Sequence, residues 1–173
     1  MGWLTDQRLV FGMSGANPNT NGTLARSQAR LAAVQALYQM DLAGTDLAEV
    51  IDEFKTLRMG ELAEDRTVAG ADAELFARIL NGVVRRQKEL DPVIDNQLAT
   101  GWSLGRVDSI LRAILRAAAF ELIEEADVPV RVVISEYVDV AHAFFAGDEP
   151  KVVNGVLDGL ARKLRPGALP ERG

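Results

Sequence analysis

Residues 24–41 read LARSQARLAAVQALYQMD, and this stretch decides the fold class. Leu31, Val34, Leu37 and Tyr38 fall at the i, i+3, i+6, i+7 spacing of one helical face. Gly44 is placed to stop that helix. The same stretch opens with Arg26 and Arg30, one helical turn apart. Guanidinium groups so spaced can contact successive phosphates or stack on unpaired bases. The later turns, Val34 to Tyr38, suit packing on a core. Residues 1–40 hold Arg8, Arg26 and Arg30 against Asp6, whereas the whole chain has a net charge of −6. An acidic body argues against broad nonspecific nucleic-acid binding but leaves room for a local basic site.

The helical pattern continues outward from this stretch. Residues 1–23 are rich in Gly, Asn, Ser and Thr towards their end and read as a disordered extension, with Met13 as an alternative start. Asp46 starts a second helix with Leu47, Val50, Ile51, Phe54 and Leu57 inward, and residues 59–71 read as a polar connection. Asp72 caps a third helix, striped by Leu75, Phe76, Ile79, Leu80, Val83 and Val84, which ends near Leu90 because Pro92 disfavours helix at Asp91. Pro92 then suits the first position of a short fourth helix reaching about Ala99. TGWSLG, residues 100–105, is the clearest internal break. A fifth helix spans about Val107 to Glu125, and Pro129 opens a sixth in which Val133, Tyr137, Val140, Ala141 and Phe144 keep helical spacing. Asp148 and Pro150 begin a last helix that stops before Pro166. The expectation is an all-α fold of about seven helices in two small packed subdomains, about 24–100 and 101–166, with 167–173 as a flexible tail.

Several chemistries have no residues to carry them. There is no cysteine, so no disulfide or thiolate site, and His142 is the sole histidine. No phosphate-binding glycine loop, dinucleotide fingerprint, zinc-protease motif or nucleophile elbow occurs. Acidic neighbours such as Asp52/Glu53 and Glu124/Glu125 point apart on a helix and make no carboxylate pair. Neither catalysis, nor a cofactor, nor a metal is expected. No apolar run reaches the roughly 20 residues of a membrane helix, and the expected compartment is the cytoplasm.

Three motifs in order carry a resemblance. An arginine-containing stretch runs into A-V-Q-A-L-Y, matched from Arg30 to Tyr38; Asp127 to Glu136 reads DVPVRVVISE; and Lys151 to Asp158 reads KVVNGVLD. Between them lies ILRAAAFEL. Together these resemble the transcription antitermination factors of the NusB family, over about Ala25 to Pro166. The resemblance implies two three-helix subdomains, binding to boxA RNA together with the ribosomal protein NusE, and entry into the RNA polymerase antitermination complex. Some members self-associate, so a homodimer is among the implied assemblies.

The resemblance also distributes roles. Arg26 and Arg30 match the RNA-contacting segment, although Ser27 and Gln28 stand where many members carry further arginines. Arg116 falls on the arginine of the L-R-x-A motif, near the RNA and partner surfaces. Lys151 opens the last helix, where the helix dipole disfavours a cation and a ligand phosphate would compensate. Asp148 can accept from base amino groups, or cap the helix, or both. Val152 replaces a Phe and so removes a stacking ring. Arg112, Arg116 and Glu121 are expected to face outward from the fifth helix, with Arg112 and Glu121 meeting the protein partner. Two other readings remain open: the module that precedes the catalytic half of some ribosomal RNA methyltransferases, and a helical interaction module that binds only protein.

Overall fold

The computed structural model describes residues 18–64 and 72–172, with side chains for 22–56 and 72–172. Among the described residues there are six α-helices and no strands: α1 (Pro18–Ala43), α2 (Leu47–Glu64), α3 (Ala73–Asp95), α4 (Ser109–Glu124), α5 (Val130–Phe144) and α6 (Glu149–Leu164). None is long and apolar enough to cross a membrane. The chain forms two compact units that divide between Asn81 and Gly82, inside α3, rather than at TGWSLG. The expectations for residues 1–17 and for 65–71 lie outside the described residues.

The first unit follows from its punctuation. Gly44 adopts φ 65° and its N–H donates to Met40 O at 3.0 Å, ending α1 as its position suggests. Asp46 caps α2 through Ala48 N–H to Oδ2 at 3.2 Å, and Asp72 caps α3 through Leu75 N–H to Oδ1 at 2.9 Å. Phe54 and Phe76 stack with ring centroids 3.8 Å apart. Two expectations need correcting. Helix α1 starts at Pro18 instead of Leu24, and α2 runs through Gly60 to Glu64. A proline fits the first turn of a helix, where its missing N–H has no intrahelical role.

The expected third and fourth helices are one. Pro92 lies inside α3. Leu90 and Ile94, four residues apart on one face, are both fully buried, while the Pro92 ring is exposed. Burial on either side offsets the one backbone bond that proline removes near the helix end. Val84, expected in the apolar stripe, is 43% exposed.

The second unit is organised around α4, which packs with α5 and α6. Leu111, Ile114, Leu115, Ala117, Ala118, Ala119 and Leu122 are each at most 1% exposed. Phe120 explains why residue 82 is glycine: a Cβ there would lie 2.0 Å from its ring. Asp108 caps α4, accepting from Ile110 N at 2.7 Å. At the opposite end Arg165 takes the carbonyls. Its guanidinium donates to the carbonyls of Leu122 at 2.9 Å, Glu125 at 2.8 Å and Glu121 at 3.1 Å, and also to Val128 O. A cation there also suits the negative end of the helix dipole. Glu121 itself is wholly buried and accepts a short hydrogen bond from the Tyr137 hydroxyl of α5.

The tail is held rather than free. Arg162 bridges Asp158 at 3.0 Å and donates to Pro170 O at 2.9 Å, and Arg172 returns to pair with Asp158. Hydrogen bonds from Arg162 and then Arg172 hold the Asp158 carboxyl below its usual range.

Two outcomes are expected. Arg165→Ala leaves several carbonyls unpaired and should lower unfolding free energy by about 2–3 kcal/mol, with Arg165→Lys recovering only part; urea denaturation measures both. The Asp158 clamp is at full strength above the ordinary carboxylate pKa of about 4 and is lost as pH falls through its lowered native value. Acid titration followed by NMR should therefore release residues 168–172 in that range, and Asp158→Asn should release them already at pH 7.

Candidate nucleic-acid interface

The residues expected to meet RNA do not all reach solvent. Arg26, in the third turn of α1, is half-buried, and its Nε is buried without a hydrogen-bond partner. Arg30 is only 2% exposed, among the largest buried side chains of the protein. Gln28, Ala29, Leu31, Ala32, Ala33, Val34 and Ala36 are buried as well, so this part of α1 is covered all round instead of on one face. The short alanine side chains permit that cover. Arg30 is thus a core cation, correcting its expected place in an exposed pair with Arg26.

At the start of α6, Asp148 and Lys151 are both exposed. Asp148 sits at the N-cap position with helical φ −85° and ψ −6°, and its side chain makes no cap bond. Its main-chain carbonyl instead accepts from Lys151 N at 3.0 Å and Val152 N at 3.1 Å. The capping role expected of the carboxylate is therefore corrected: helical backbone at Asp148 turns the side chain away from the N–H groups it would cap. Glu149, in the first turn, supplies the carboxylate that suits the positive end of α6.

The other expected residues lie on α4. Arg116 is largely buried and forms a two-pronged pair with Asp91 of α3, Nε to Oδ1 and Nη2 to Oδ2 both at 2.8 Å. Arg112 is half-buried and donates to Leu104 O at 3.2 Å and Ser109 Oγ at 3.3 Å. Glu121 lies in the core, which corrects its expected outward position; a wholly buried carboxylate cannot meet a partner without unfolding around it. The reason is periodicity: Arg112, Arg116 and Glu121 span more than two turns, and the fifth residue from Arg116 falls on the covered side of α4.

Arg112 and Arg116, with Asp91, Pro92, Asp95, Ser103, Leu104 and Gly105, line an open pocket of about 390 Å³. Asp95 fixes its loop by accepting from Leu104 N at 2.9 Å. Sequence reading missed Asp91 and Asp95, because their partners, Arg116 and the Leu104 N–H, lie 25 and 9 residues away, outside helix spacing. Asp91 registered only as the residue before a proline.

The family profile described as the NusB family matches residues 27–162. The chain belongs to the NusB family. Among curated relatives, the transcription antitermination protein NusB of Allorhizobium ampelinum is 55% identical over 81% of this chain and 88% of its own length. That of Bartonella tribocorum is 56% identical over 81% of this chain and 90% of its own. The crystal form of T. maritima NusB superposes with a TM-score of 0.67 at 30% identity, covering 82% of this chain and 93% of that one. A structure of antitermination factors NusB and NusE in complex with dsRNA gives 0.63 at 26% identity, covering 79% and 96%. Among the described residues, six helices in two units are thus how a NusB-family sequence folds here.

The Arg116–Asp91 pair joins α3 to α4 beside the pocket. Arg116→Ala should cost about 1.5–3 kcal/mol in urea denaturation, since a charged acceptor loses both its donors. Arg116→Lys should recover less than half, because an ammonium cannot reproduce the planar fork.

Proposed function

We propose that this protein is an RNA-binding transcription antitermination factor that binds boxA RNA together with NusE and joins the RNA polymerase antitermination complex in the cytoplasm. The observation that carries the reading is family membership across residues 27–162, with relatives called transcription antitermination protein NusB above 50% identity. The NusB–NusE–dsRNA complex, which shares the fold, supports both partners. The reading assigns the chain no catalytic step.

The charges of this chain refine where phosphate contacts fall. Lys151 is exposed at the start of α6 and Arg26 is half-buried in the third turn of α1, so these two are the phosphate contacts. Asp148, exposed beside Lys151, selects among bases by accepting from their amino groups. Arg112 serves the partner side by holding the loop that contains Leu104 and Gly105 in one conformation.

Titration of labelled boxA RNA with the protein, alone and with NusE, tests the reading. Binding should tighten with NusE. Lys151→Ala should weaken it and reduce the log–log salt slope by about 0.7, and adding Arg26→Ala should remove about 0.7 more. Arg30→Ala should instead lower the melting temperature, because it empties a buried site. Tight NusE binding with no RNA affinity at any salt would favour a protein-only module.

A further inference from the structure

We propose that the pocket between α3 and α4, together with Trp102, seats one unpaired base of the bound RNA. This rests on the RNA-binding reading and names a site within it.

The first observation is chemical. The pocket's two arginines are matched by Asp91 and Asp95, so it has no net positive charge and is a poor seat for phosphate. It does hold unspent hydrogen-bonding groups. Arg116 uses Nε and Nη2 on Asp91, which leaves Nη1 with no partner among the described residues. Asp95 uses Oδ1 on Leu104 N, which leaves Oδ2 likewise. Ser103 Oγ makes no hydrogen bond among the described residues. A donor, an acceptor and a hydroxyl thus line one open pocket of about 390 Å³. The edge of every nucleobase presents a donor next to an acceptor, and only an unpaired base has that edge free.

The second observation is Trp102, which immediately precedes Ser103 and is 40% exposed. Its loop is braced: Trp102 N donates to Ala99 O at 2.9 Å, Leu104 is buried, and Asp95 and Arg112 hold the backbone of Leu104 from either side. An indole kept in water on a fixed loop loses little freedom when a flat ring stacks on it. Trp102 adjoins Ser103 of the pocket lining, so the exposed indole and the pocket's polar groups belong to the same loop. A nucleobase offers a flat face for the indole and a donor–acceptor edge for the pocket's polar groups.

The sequence contains two tryptophans, Trp3 and Trp102, so Trp3→Phe protein reports on Trp102 alone. Adding single-stranded boxA RNA should quench its fluorescence. In anisotropy titrations with labelled RNA, with and without NusE, Trp102→Ala should weaken binding by about tenfold and Trp102→Phe by less. The salt slope should stay unchanged, since no phosphate contact is lost. Asp95→Asn keeps an oxygen for Leu104 N and should change the preference among RNAs that differ at one position. An abasic residue at that position should abolish both the quenching and the effect of Trp102→Ala. RNA binding with silent Trp102 fluorescence and an unaffected Trp102→Ala variant overturns the proposal and leaves the RNA-binding reading intact. No RNA binding by the wild-type chain, with or without NusE, overturns both. A Trp102 response to NusE without RNA, with Trp102→Ala weakening only NusE binding, assigns the surface to protein and also overturns it.

Discussion

A helix covered along most of its length still has unpaired carbonyls at its end. That is the constraint on α4, whose residues from Leu111 to Leu122 are mostly buried. Arg165 meets it, carrying donors from just past α6 to carbonyls at the end of α4 and in the loop that leads to α5. The four-carbonyl contact fixes where α6 ends, and the Glu121–Tyr137 bond fixes α5 against the same helix. The buried Glu121 carboxylate and the Arg165 guanidinium both have partners here, so polar and apolar packing specify the same arrangement.

Once α4 is fixed, its outer side can hold function. Arg116 faces Asp91 and Arg112 faces the backbone around Leu104, so the two cations set the shape of a pocket. Most of their charge is already satisfied by the chain. On a protein with net charge −6, RNA affinity must then come from a few exposed cations and from stacking and base-edge contacts. Lys151 and Trp102 are exposed and suited to those two tasks, whereas Arg30 is committed to the core.

The same economy explains the local departures from expectation. Pro92 stays inside α3 because Leu90 and Ile94 both gain full burial there. Gly82 is compelled by the ring of Phe120, residues apart in sequence but within ångströms in space. The chain after α6 stays beside the helix because Arg172 and Arg162 share Asp158.

The amino-acid order by itself determined the all-helical class, the caps at Asp46 and Asp72, the stop at Gly44 and the family, because helix periodicity, capping and motif order are all local along the chain. It could not rank the arginines. Arg26 and Arg30 look alike in sequence, as do Arg112 and Arg116, and a guanidinium suits a phosphate, a carboxylate or a row of carbonyls equally well. Tertiary structure decided which received what: Arg30 the interior, Arg116 an aspartate twenty-five residues away, Arg165 the end of α4. The physical reason is that a charge's role depends on the burial and partners supplied by distant segments, and only packing brings those segments together.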